Sequence, residues 1–313
     1  MKDVRKVLVI KLEDLAQLVA SFAAMRQIRA AHPRAHITLL TTPPFAAIAG
    51  ASPYFDAVNT TGEADAMRMA AAIKGEKFDR IYDLEGSRRT RAIRRWMWFY
   101  GRRWVGVSDE DEDIHLLERH ARMLNAAGVW PDAPIEPGSA PPPDLSWILK
   151  RVAPPRPVPG AIKPRPYVLM IPGGADDRRW PEASFGAAAA AFRLQGFDIV
   201  VIGGPEHSAF ARAIQRHDPK ARDLTGRTDI FQLALTGSRC ALAIGNDCAQ
   251  THLVAAAGAP TLVLFPKAAD PASEGPRGHV AFLQAEDLAD ISVDQVLRAA
   301  ASIAPEPACP KAS

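Results

Sequence analysis

The sequence predicts an α/β protein built from two doubly wound, parallel-sheet domains in tandem. Three observations predict it. Short apolar runs alternate with Ala-rich helical patterns in each half, a proline-dense stretch separates the halves, and loops rich in glycine and acidic residues follow the apolar runs of the second half. At 313 residues the chain also exceeds what one hydrophobic core ordinarily supports.

In the first half, residues 7–12 read as a short apolar strand. Residues 14–31 read as a helix with apolar positions at Leu15, Leu18, Val19, Phe22, Met25 and Ile28. Residues 36–40 read as a second strand, stopped by Thr41-Thr42-Pro43-Pro44, and a helix over 64–73 leads to a strand over 80–84. This order predicts parallel strands with right-handed crossovers.

Twelve of the 27 prolines fall between Pro131 and Pro166, which makes this stretch a semi-rigid spacer, with a short linker helix over 145–152. The expected domains are therefore residues 1–155 and 156–303, followed by a flexible tail over 304–313.

The second half repeats the alternation. Strands are expected over 167–171 and 198–202, and helices over 181–194, 208–215 and 230–235. The apolar run 240–244 ends at Gly245-Asn246-Asp247 and gives way at once to a helical pattern. A strand over 261–265 and a closing helix over 292–303 complete the half. The sequence leaves open whether that last helix returns to the N-terminal domain.

Composition excludes several classes of function. Hydrophobic residues at 48%, charged residues at 23% and a net charge of +3 are ordinary for a soluble globular chain, and do not suggest a nucleic-acid partner. No window approaches the roughly 18 uninterrupted apolar residues of a spanning helix. The opening M-K-D-V-R-K-V-L-V-I-K-L reads as a first strand and not a signal peptide. Three cysteines, Cys240, Cys248 and Cys309, have no metal-ligand spacing and suit a reducing cytoplasm, and no Walker A, G-x-G-x-x-G or H-E-x-x-H motif occurs, so neither a metal nor another cofactor is expected.

The loops carry the candidate chemistry. A strand ending at Asn246 brings Asp247 and a helix N-terminus to the carboxyl edge of a sheet. Free backbone N–H groups and the positive end of the helix dipole there suit a phosphate. His252 lies about one turn into that helix and can share the crevice, although a cap at Asp247 and a surface histidine explain the same residues. Gly173 and Gly174 open a loop in which backbone N–H groups can approach a ligand, and Arg178 adds a fixed charge. Glu206, after Gly203-Gly204, can accept hydrogen bonds from ribose hydroxyls. The Leu224 to Asp229 loop, with Thr228, reads as a cap for the next helix. In the first half Asp14 stands at the first strand–helix junction, as a helix cap or a general base. Residues 87–104 interleave arginines with aromatics, a pattern suited to phosphorylated or membrane-associated partners. The plainer alternative is a helix with its aromatics turned inward and its arginines solvated.

Together these motifs resemble the bacterial heptosyltransferases, glycosyltransferase family 9. Asp83-Leu84-Glu85-Gly86-Ser87-Arg88 resembles the family's D-L-Q-G-S segment, and Arg103-Trp104-Val105-Gly106 its R-I-G. Residues 115–128 are similar to its helix ending in L-x-x-x-G. The loop I-P-G-G-A-D-D-R-R-W-P resembles H-P-G-A-S…K-x-W-P, and Asp223-Leu224-Thr225-Gly226 and G-N-D-x-x-x-x-H-L-x-A-A-x-G-x-P-T resemble its most specific signatures.

The resemblance implies a GT-B fold, two doubly wound Rossmann-like domains facing across a cleft, with acceptor bound by the first and nucleotide sugar by the second. It implies Asp14 as general base for an inverting transfer of heptose from an ADP-sugar to a lipopolysaccharide-core acceptor, without a metal. Gly173, Gly174, Arg178, Glu206, Thr228, Asp247, Cys248, Ala249 and His252 take the donor, and Ser87, Arg88 and Arg91 the acceptor. Peripheral contact with the inner membrane follows from the acceptor. The chain departs from the pattern where Glu13 replaces the Gly before the base, where Ala20 and Ser21 stand in place of a Pro in the first helix, and where Cys248 and Ala249 replace the Ser/Thr and Gly after Asp247. Those departures keep two alternatives open, a member that binds without turnover and a nucleotide-sugar epimerase.

Overall fold

The computed structural model describes residues 4–12, 14–61, 66–107, 113–130, 136, 138–151, 166–175 and 179–304. The chain divides into two compact units, Met1–Pro143 and Asp144–Ser313. The expected boundary at residue 155 lies outside the described residues, as do the expected tail beyond Ala304 and the positions Glu13 and Arg178.

The first unit is a five-stranded parallel sheet. Its strands are β1 (Lys6–Ile10), β2 (His36–Thr41), β3 (Ala57–Thr60), β4 (Arg80–Asp83) and β5 (Trp104–Gly106), in the spatial order β3-β2-β1-β4-β5. The central strand β1 buries Val7, Leu8, Val9 and Ile10 because both faces are covered, so it reads as a continuous apolar run. The helices are α1 (Leu15–Ala31), α2 (Ala46–Ala51), α3 (Ala66–Glu76), α4 (Arg88–Trp96) and α5 (Leu116–Ala126). On α1, Leu18, Val19, Phe22, Met25 and Ile28 are buried, spaced along one stripe as a helix packed on a sheet requires.

The second unit begins with a short helix, α6 (Ile148–Arg151), and carries a six-stranded parallel sheet. Its strands are β6 (Tyr167–Ile171), β7 (Asp198–Val201), β8 (Arg222–Asp223), β9 (Leu242–Asn246), β10 (Thr261–Pro266) and β11 (Val280–Ala285). Their order is β11-β10-β9-β6-β7-β8. Around them lie α7 (Glu182–Leu194), α8 (Ser208–His217), α9 (Ile230–Arg239), α10 (Ala249–Ala256), α11 (Pro271–Glu274) and α12 (Val293–Ile303). Every residue of β6, β9 and β10 is buried. The closing helix α12 packs on α7, β10 and β11, with Val296 and Ala300 in the same core as Trp180 and Phe185. Its apolar stripe is used within its own unit.

The strand order sets the position of the sites. Each unit winds outward from its first strand, then crosses to that strand's other side, so the order reverses between β1 and β4 in the first unit. In the second unit it reverses between β6 and β9. Loops leaving the carboxyl ends of the two strands at such a point diverge and open a crevice, which is where doubly wound sheets bind ligands.

Candidate functional site

At the β6/β9 switch point of the second unit, the buried side chain of Asn246 holds the two loops together. Its Nδ2 donates to the Gly173 carbonyl at 2.9 Å and its Oδ1 accepts the Trp180 N–H at 3.0 Å. Asn246 therefore pins both ends of the β6–α7 loop to the end of β9. Trp180 is fully buried, and its Nε1 donates to the Ile291 carbonyl at 2.8 Å. Arg179 donates to the Gly174 carbonyl at 2.7 Å and stacks over Phe210. Gly174 has φ +109, a conformation that favours glycine.

The same crevice receives the start of α10. Cys248 is its N-cap residue, and its thiol makes no side-chain cap hydrogen bond. The Cys248 Sγ lies 3.2 Å from Thr251 Oγ1, which itself donates to the Asn246 carbonyl at 2.8 Å. A β-carbon added to Gly173 would stand 2.7 Å from that sulfur, so the thiol already fills the space beside the glycine. Burial pushes the Cys248 thiol above its ordinary value, with the Thr251 bond opposing the shift. Asp247 faces His252 across one turn, Oδ1 to Nε2 at 3.4 Å, with both side chains partly exposed. The structure thus brings Gly173, Gly174, Asp247, Cys248, Ala249 and His252 to one edge.

Glu206 and Thr228 form a neighbouring group on that edge. Glu206 follows β7 in a single 3-10 turn, Pro205–His207, and is exposed beside His207. Gly226 N–H donates to the Gly203 carbonyl at 2.8 Å, which ties the loop after β8 to the loop after β7. Thr228 is half-buried just beyond it, and Asp229 caps α9 through the Phe231 and Gln232 N–H groups, as the sequence suggested. Since β8 is the edge strand, Thr228 stands two strands away from Gly173.

At the β1/β4 switch point of the first unit, Asp14 is exposed and caps α1, accepting the Gln17 N–H at 3.1 Å. Its backbone has φ 59 and ψ 126, a region that L-residues rarely occupy. Such strain costs about 1–3 kcal/mol and persists where the surroundings enforce it, often at functional positions. Beneath it, Lys11 and Glu85 form a buried ion pair at 2.7 Å, with side chains 1% and 3% exposed. Lys11 also donates to Gln17 Oε1 at 2.8 Å. On the β4 side, Ser87 caps α4, Arg91 Nε donates to the Gly86 carbonyl at 3.0 Å and Arg88 is exposed. Asp83 is buried, and burial raises its carboxyl above the usual range, against hydrogen bonds from Gly86, Thr90 and Glu85.

Sequence reasoning passed over Asn246, Lys11 and the pairing role of Glu85. A polar residue in the last position of a buried strand was the available signal for Asn246, and a lysine ending the apolar run of β1 was the signal for Lys11. Among the described residues, no group of three or more His, Cys, Asp or Glu side chains is arranged to hold a metal ion. No helix among them is long and apolar enough to cross a membrane.

Comparison with known proteins bears on the family and the fold. The model of the family described as glycosyltransferase family 9 (heptosyltransferase) matches residues 66–281. Escherichia coli ADP-heptose LPS heptosyltransferase II superposes with a TM-score of 0.75 at 17% identity, covering 95% of this chain and 98% of that one. A glycosyl transferase family 9 protein from Veillonella parvula gives 0.78 at 19% identity, over 96% and 97%. E. coli heptosyltransferase WaaC with ADP gives 0.76 at 15% identity, over 96% and 100%. These likenesses establish a GT-B α/β fold. No curated protein sequence matches the chain.

Proposed function

The chain belongs to glycosyltransferase family 9 and is a glycosyltransferase of the heptosyltransferase type, and on that footing we propose that it transfers heptose, or a closely related sugar, from an ADP-sugar to a lipopolysaccharide-core acceptor. One observation carries the reading: Gly173, Asp247, Cys248 and His252 converge on the N-terminus of α10 at the β6/β9 switch point. Backbone N–H groups and the dipole of α10 suit the charge that develops on a departing diphosphate. Gly173 and Gly174 let the β6–α7 loop approach it, Ala249 opens the helix, and Glu206 and Thr228 supply polar groups for the nucleoside. Arg178, outside the described residues, belongs to the same loop and adds positive charge in this reading.

On the acceptor side, Asp14 takes the proton from the attacking hydroxyl. That hydroxyl forms the bond to the anomeric carbon with inversion as the bond to ADP breaks. Ser87, Arg88 and Arg91 bind the acceptor, where guanidinium groups suit phosphorylated core sugars. No metal or other cofactor enters this reading. A lipid-borne acceptor places the protein in the cytoplasm with peripheral contact on the inner membrane.

Calorimetry with ADP-, UDP- and GDP-sugars, followed by a transfer assay with lipopolysaccharide-core acceptor, tests the proposal. ADP-sugar binding and turnover are expected, with turnover lost and donor affinity kept in Asp14→Asn. Full activity in Asp14→Asn removes Asp14 as the base. Product formed without acceptor points to an epimerase, and no nucleotide binding at all sinks the donor reading.

A further inference from the structure

Residues 86–107 contain seven arginines and no acidic residue, within a chain whose net charge is only +3; five acidic residues follow at 109–113. On α4, Thr90 and Ile93 turn inward, and Met97, Tyr100 and Trp104 continue that buried face, packing with Leu8, Met69 and Ile81. The remaining aromatics do not follow them. Trp96, Trp98 and Phe99 are 58%, 79% and 49% exposed, which corrects the plainer expectation that the aromatics of this stretch turn inward. The arginines are solvated, as that expectation had it: Arg91, Arg94 and Arg95 are exposed. Among the described residues Arg94 and Arg95 have no ion-pair partner, and with Arg91, Trp98 and Trp104 they line a cavity of about 350 Å³.

Large exposed aromatics are costly in water, and beside exposed arginines they suit a membrane boundary, where rings sit at headgroup level and guanidinium groups meet phosphates. The alternative of stacked nucleic-acid bases fits the rings poorly. Trp98 and Phe99 stand edge-on at 81°, with centroids 6.4 Å apart, so they do not offer successive parallel platforms.

We propose that the far end of α4 and the turn after it dock the protein on an anionic lipid surface, with Arg94 and Arg95 on headgroup phosphates and Trp96, Trp98 and Phe99 inserted at the interface. This deepens the membrane-contact part of the reading above and is separate from its chemistry. The patch lies about 13 Å along α4 from Ser87, given the 1.5 Å rise per residue, so it is distinct from the acceptor residues at the sheet edge.

The test is co-sedimentation of the full chain with vesicles, without donor or acceptor, so that its outcome is independent of the transfer reading. Binding to phosphatidylglycerol–phosphatidylethanolamine vesicles is expected, with little binding to phosphatidylcholine alone. Arg94→Gln combined with Arg95→Gln is expected to weaken partitioning at least about tenfold, since each basic residue contributes on the order of a fivefold factor near an anionic surface. Trp98→Ala combined with Phe99→Ala is expected to weaken it comparably. All four side chains are exposed, and an unchanged circular dichroism spectrum and melting temperature confirm that the variants fold. Equal binding to neutral vesicles, or variants that bind as the parent does, overturns the proposal. So does retention on single-stranded RNA with no vesicle binding.

Discussion

The ammonium of Lys11 sits 2.7 Å from Glu85 Oε2, and the same oxygen accepts the Leu12 N–H at 3.0 Å. One carboxylate oxygen therefore ties the exit of β1 to the exit of β4, directly below the turn that carries Asp14. A buried charge left without its partner costs about 3–5 kcal/mol, while a matched neutral pair costs much less. Lys11→Met should therefore lower unfolding stability by roughly that amount, and Lys11→Met with Glu85→Gln should recover a large part of it. Urea denaturation of both single variants and the double variant measures the coupling. Simple additivity would show that the pair is not the tie described here.

Asp14 combines a helix cap with a backbone angle suited to glycine. Replacing a cap by glycine costs only a few tenths of a kcal/mol, and relief of the strained angle returns about 1 kcal/mol or more. Asp14→Gly should therefore be at least as stable as the parent, whereas Asp14→Ala, which keeps the strain and loses the cap, should fall by about 1–2 kcal/mol. Both should lose turnover by a factor of roughly 10²–10⁴ if the carboxylate is the base. An alanine variant more stable than the glycine one would remove the argument from strain.

Asn246 is fully buried and bonds two backbone groups of the β6–α7 loop. Truncation leaves a buried carbonyl and a buried N–H without partners, at about 1–3 kcal/mol each. Asn246→Ala is expected to destabilise the second unit by about 2–4 kcal/mol. It is also expected to weaken nucleotide binding, because Gly173 and Trp180 lose their common anchor. Thermal unfolding and ADP titration of the same preparation read the two effects. A variant with lowered stability but undiminished ADP affinity would separate the anchor from the donor site.

Burial pushes the His120 imidazole down to about 3 from its ordinary 6.5, and the bond between its Nε2 and the Leu84 carbonyl only partly opposes this. Below pH 6.5 the unfolded chain takes up a proton that the folded chain refuses until about pH 3. Stability is therefore lost as pH falls through that window, by up to about 1.4 kcal/mol per pH unit. His32 is shifted downward by burial and adds in the same direction. Asp56 and Asp79 are held below the usual carboxylate value of 3.8, so their contribution is lost only at lower pH. Denaturation midpoints between pH 6.5 and 4.5 should then fall less steeply in His120→Gln, which keeps the donor to Leu84 and does not titrate. An unchanged slope would exclude His120 as its source.

What the sequence revealed follows from burial. Strands covered on both faces, β1, β6, β9 and β10, carry unbroken apolar runs and were legible within a residue or two. The strands β3, β5 and β8 and the long β11 were not. These lie at or next to sheet edges, are half-exposed or only two to four residues long in three cases, and so lack a periodic signal. Candidate donor residues were legible because glycines and a strand–helix junction mark them locally. Asn246 and the Lys11–Glu85 pair act through contacts 73 and 74 residues apart in the chain, which no local pattern encodes. The outward turn of Trp96, Trp98 and Phe99 was equally hidden, since an aromatic in a basic helix reads the same whether it faces the core or the solvent.

The position of the Cys248 sulfur beside the open side of Gly173 has a consequence for substitution at either residue. One small volume is shared by two positions 75 residues apart, and the sulfur now holds it. A side chain introduced at 173 has to displace that sulfur, by a new Cys248 rotamer or a smaller residue at 248. The two loops that frame the crevice are thereby coupled at this one pair of positions.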